Sequence, residues 1–71
     1  MMTIDQVFAT AGLRDASKDC YEEQGKWIVW DQIGSAGIMA AAVARLKDAG
    51  VPAFFSAKTR EWGILASEVT L

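Results

Sequence analysis

The chain has 71 residues, of which 52% are hydrophobic, and seven basic against nine acidic side chains leave a formal net charge of −2. That is enough for one small domain, residues 1–71, with a real core, and too apolar for disorder. There is no His, and Cys20 is the single cysteine. The commonest general base, the commonest metal ligand and any intrachain disulfide are therefore excluded.

The opening "TIDQVFATAG" reads as a short helix. Ile4, Val7, Phe8 and Ala11 fall on one face. Thr3 followed three residues later by Gln6 is a capping-box pattern, and Gly12 suits the helix stop. "RDASKD" follows as a polar connection.

"CYEEQGKWIVWDQ" reads as a hairpin, with Gly25 in the turn where a positive φ is expected. Its return strand is apolar on both sides, with Trp27 and Val29 on one face and Ile28 and Trp30 on the other. A strand with one wet face would alternate, so this one is central or covered twice.

"SAGIMAAAVARLKDAG" is a second helix, with Ser35 as its N-cap. Ile38, Met39, Ala42, Val43, Leu46 and Ala49 form its apolar stripe. Arg45 and Lys47 lie towards its C-terminal end, and Gly50 and Pro52 stop it. "PAFFSAKTREWGILAS" is a second hairpin, with Trp62 and Ile64 on one face of its return strand and Leu65 on the other.

The order is α-β-β-α-β-β. The expected fold class is α+β: a four-stranded, mostly antiparallel sheet with two helices packed on one face. The halves rhyme, each running from a helix through "AGL" or "AGV" to an aromatic strand, a charged turn and a strand opening with Trp. With both helices on one face, the other face still carries large side chains. That surplus predicts an interface, and in so short a chain a homodimer or another protein partner.

Gly34, Ser35, Ala36 and Gly37 form G-x-x-G between a strand and a helix. A Walker loop needs G-x-x-x-x-G-K-[ST], and a dinucleotide fold needs G-x-G-x-x-G in a parallel unit. The run meets neither pattern. It reads as a corner, with Gly34, Ser35 and Gly37 the weaker candidates for holding an anion at the helix start; on that alternative reading the chain is a small-ligand or anion-sensing regulatory domain.

Asp15, Asp19, Glu22, Glu23 and Asp31 gather along the first hairpin and the loop before it. They form an acidic surface that complements a basic partner. Cys20 has no His to activate it and reads as a small buried strand residue. No catalytic residue, metal site or cofactor is expected.

Trp27, Trp30 and Trp62 are the candidate interface anchors, with Glu22 and Glu23 as the polar rim. Trp27 and Trp30 must point to opposite faces, so one of them lies away from the helices. Base stacking on single-stranded nucleic acid is the rival use of such a tryptophan. Lys26, Lys58 and Arg60 sit at the hairpin tips, but the neighbouring acids make nucleic acid the weaker reading.

"RLKDAGVPAFFS" is similar to the Leu-x-x-x-Gly-Ile-Pro-Ala run of one family of small prokaryotic domains of unknown function, over about twelve residues. No functional residue is carried over from it. In kind, the chain resembles the short acidic α+β inhibitors of phages and mobile elements, anti-CRISPR proteins among them. That resemblance implies a non-enzymatic module that occupies a partner's surface. No apolar run is long enough to span a membrane, and "MMTIDQVF" lacks the basic and apolar regions of a signal peptide, so a cytoplasmic location is expected.

Overall fold

A computed structural model describes residues 1–14 and 19–70. Asp15, from the acidic set, and most of the polar connection lie outside the described residues.

The first strand, β1 (Met2–Thr3), leads directly into α1 (Ile4–Ala11). The capping box forms in full. Gln6 N–H donates to Thr3 Oγ1 at 3.2 Å, and Thr3 N–H donates to Gln6 Oε1 at 2.9 Å. Val7, Phe8 and Ala11 are buried. The helix stops at Gly12 (φ 74°), where the N–H groups of Gly12 and Leu13 return to the Ala9 and Phe8 carbonyls.

Next come β2 (Cys20–Glu23) and β3 (Trp27–Asp31). Gln24 (φ 56°) and Gly25 (φ 64°) make the tight turn between them, closed by Lys26 N–H donating to Glu23 O. Consecutive positive φ values match the twist of a hairpin, and only Gly adopts them freely.

Helix α2 (Ala36–Asp48) begins at Ser35, whose Oγ accepts from Ile38 N–H at 3.2 Å. It buries Met39, Ala42, Val43 and Leu46. The expected stripe is too wide at both ends. Ile38 is 52% exposed, and Ala49 is an exposed C-cap. Ile38 lies one residue before the packed row and rests near Gly34 instead.

A second hairpin, β4 (Ala53–Ser56) and β5 (Glu61–Leu65), follows. A 3-10 turn, Ala66–Glu68, then leads to β6 (Val69–Thr70), which pairs in parallel with β1. These two-residue strands are too short to show any periodicity, and the sequence pattern did not reveal them.

The fold class is as expected: two helices pack on a four-stranded antiparallel sheet. Its order is β2-β3-β5-β4, so the two hairpins join through their return strands. On the helix side, Trp30 and Trp62 are cross-strand partners with rings stacked at 4.7 Å. Phe8 of α1 meets both edge-on, at 5.7 and 5.3 Å. Trp62 Nε1 donates to Asp31 O at 3.2 Å, so its one polar atom is satisfied inside the core.

Candidate functional site

The strand register sorts the candidate residues between two faces. Antiparallel partners share a face, and neighbours along a strand do not. Ile28, Trp30, Trp62, Ile64 and Ala53 join the helices in the main core. Tyr21, Glu23, Trp27, Val29, Asp31, Phe54, Glu61, Gly63 and Leu65 therefore occupy the helix-free face.

Two of the three candidate anchors are corrected by burial. Trp30 is 1% exposed and Trp62 is 0%, so neither offers a surface. Their pairing across the two return strands places both under the helices. Trp27 is the tryptophan on the helix-free face. It remains half-buried, packed edge-on against Phe54 at 5.0 Å, with Lys26 Nζ 5.8 Å from the centre of its ring. Glu22 is also corrected. It pairs with Ile28 and so lies on the helix side of the edge strand, away from Trp27. Glu23 is the cross-strand partner of Trp27 and is the carboxylate of the pair that borders it.

The helix-free face is a low aromatic layer. Val29 lies between Tyr21 and Gly63 in the register and is fully buried, although no helix covers it. Gly63 makes room for the Phe54 ring, which crosses the strand at that point. A glycine under an aromatic cross-strand neighbour is a recurring way to seat the ring flat on a sheet. Tyr21 is 46% exposed at the edge, while Trp27, Phe54 and Leu65 keep part of their surface open. The aromatic side chains thus cover one another, and the open apolar area is smaller than residue count alone implies.

Three carboxylates border this layer. Glu23 stands beside Trp27, and Asp31 and Glu61 face each other directly across β3 and β5. Opposed like charges disfavour a strand pair by themselves. The sequence pattern did not single out Glu61, because its place beside Asp31 depends on the neighbouring of β3 and β5. Asp19 is exposed just before β2.

The other candidates separate from this face. Cys20 lies opposite Trp30 and packs partly against the core, but it is half-buried and not buried as expected, because β2 is the edge strand of the sheet. Gly34 (φ 73°) makes the corner before α2, and Gly37 lies within the first turn of the helix. The Ser35 hydroxyl accepts from the helix backbone. Among the described residues, no three Cys, Asp or Glu side chains gather in a metal-binding arrangement, and no helix is long and apolar enough to cross a membrane.

The chain matches no protein-family model, no curated protein and no solved structure.

Proposed function

We propose that the chain is a non-enzymatic protein-binding module that docks its helix-free sheet face on a basic partner surface. The observation that carries this reading is the juxtaposition on one face of Trp27, Phe54 and Tyr21 with Glu23, Asp31 and Glu61. Half-buried aromatic rings supply contact area at little entropic cost, because neighbours already hold them. The carboxylates steer a cationic surface towards them and disfavour a nucleic acid, whose phosphates they repel. Stacking of bases on Trp27 would have Lys26 close to its ring but Glu23 directly across the strand from it, with Asp31 and Glu61 further along the same face.

A second copy of the chain is the weaker occupant. A symmetric contact through this face would set the same three carboxylates against a patch of the same sign. The proposed mode of action is steric occupation, in the manner of small phage and mobile-element inhibitors.

The test is capture of candidate host proteins on the immobilised chain, followed by reconstitution with each purified partner. Trp27→Ala is expected to weaken the reconstituted complex by at least thirtyfold, equivalent to about 2 kcal/mol, while the melting temperature stays near that of the parent. Affinity should fall with added salt. Binding that is indifferent to Trp27→Ala and to salt would remove the reading. So would sedimentation showing a tight self-dimer that Trp27→Ala dissolves.

A further inference from the structure

Away from the helix-free face, the segment after α1 (residues 12–14), the corner before α2 (Ile33, Gly34) and α2 enclose an open groove of about 470 Å³. That lies within the range of about 300–1,000 Å³ common to small-molecule sites. Leu13, Ile33, Ile38 and Ala41 supply apolar walls, and Arg14 and Arg45 supply charge. Among the described residues, no acidic side chain lines the groove.

Arg45 is held in place. Its Nη1 donates to the Ala11 carbonyl at the end of α1, at 3.1 Å. The same nitrogen lies where a side chain at Gly12 would stand, so a glycine at the helix stop is what admits the guanidinium. One N–H of the fork is engaged in this way, and the rest of the fixed planar fork is left to meet an anion. Neither guanidinium forms an ion pair among the described residues. Ile38, turned out of the core, is 52% exposed at the wall of this groove. An exposed branched side chain beside two cations is costly to solvate and favourable to cover.

We infer that this groove binds a small amphiphilic carboxylate, with the carboxylate on Arg14 and Arg45 and the apolar body against Leu13, Ile33 and Ile38. Charge complementarity selects the occupant. A neutral apolar molecule would leave both guanidinia unused, and a bare anion would leave Ile38 exposed. The site is independent of the docking face, because Trp27 and Phe54 lie on the far side of the sheet.

The probe is sodium octanoate, titrated into the full chain and followed by backbone and methyl NMR. Saturable shifts centred on Leu13, Ile33 and Ile38 are expected, with 1-octanol and acetate at least tenfold weaker. Arg14→Gln and Ile38→Glu should each weaken octanoate at least fivefold without lowering the melting temperature. Both residues are exposed or open to solvent, so neither change should disturb the core. Trp27→Ala should leave octanoate binding unchanged. Equal binding of octanol and octanoate, shifts centred on the Trp27 face, or no effect of Arg14→Gln would overturn the assignment.

Discussion

Replacing Gly63 by Ala tests how closely the helix-free face is built. A Cβ at this position would stand 2.6 Å from Phe54 Cε1, 2.7 Å from the Ile28 carbonyl oxygen and 3.1 Å from Phe54 Cζ. Carbon atoms in contact prefer about 3.5–4.0 Å. The Phe54 ring can swing away from the sheet, but the Ile28 oxygen belongs to the backbone of the adjacent strand. The β3–β5 pair must therefore shift as well as the ring. Overpacking costs about 1–3 kcal/mol, and the backbone obstacle places Gly63→Ala at about 3 kcal/mol. A chain of this size has a total stability of roughly 4–10 kcal/mol, so the change removes a large part of it. At about 4–8 °C per kcal/mol for small domains, the melting temperature should fall by roughly 12–24 °C. Urea and thermal melts followed by tryptophan fluorescence and near-ultraviolet circular dichroism read this directly. Adding Phe54→Ala to Gly63→Ala should recover only part of the loss, because the carbonyl contact remains. A melting temperature within about 3 °C of the parent, by the same slope, would refute the seating of Phe54 on Gly63.

Trp30→Ala and Trp62→Ala should each cost about 3–5 kcal/mol and abolish the cooperative melt, whereas Trp27→Ala should cost far less. Chemical denaturation of the three variants side by side makes the comparison. Glu23→Lys should slow association with a basic partner and flatten its salt dependence, while Glu22→Lys, on the other face, should change association much less; stopped-flow mixing at several salt concentrations distinguishes the two. Gly37→Ala should be neutral or raise the melting temperature, since a Cβ there meets only Ser35 Oγ at 3.8 Å and Ala favours the helix by up to about 1 kcal/mol.

Local chemistry was legible from residue types. Thr3 with Gln6, Ser35 before a helical stripe, and Gly12 and Gly25 at chain reversals each act within a few residues, and each behaves as its sequence context predicts. The opposite orientations of Trp27 and Trp30 follow from the period of a strand. Which of them would be covered does not, because that depends on the side where the helices pack. The same period separates Glu22 from Glu23, and it was the signal that could have kept Glu22 out of the rim. Glu61 beside Asp31 and the Trp30–Trp62 stack both arise from β3 lying next to β5. No local pattern encodes that adjacency. The Arg14–Arg45 groove likewise requires α1 to pack beside α2, which places residues more than thirty positions apart on one wall.

The sheet thereby assigns its aromatic residues to two different tasks. Phe8, Trp30 and Trp62 interlock between helix and sheet, where each ring fixes the others and a loss cannot be absorbed locally. Trp27 and Phe54 meet only across the outer face, over a glycine, with solvent on their far side. A truncation there removes contact area without opening a cavity in the main core. The two strands at the centre of the sheet carry both sets, β3 through Trp27 and Trp30 and β5 through Trp62 and Gly63. A backbone held rigid by the inner stack is therefore the same backbone that presents the outer layer. Residues placed on the outer face of such strands are positioned by the core without belonging to it, which is what the proposed docking of Trp27 requires. That separation predicts that the fold persists when Trp27 is varied, and it makes the contrast between Trp27→Ala and Trp62→Ala a test of the proposed function and not only of stability.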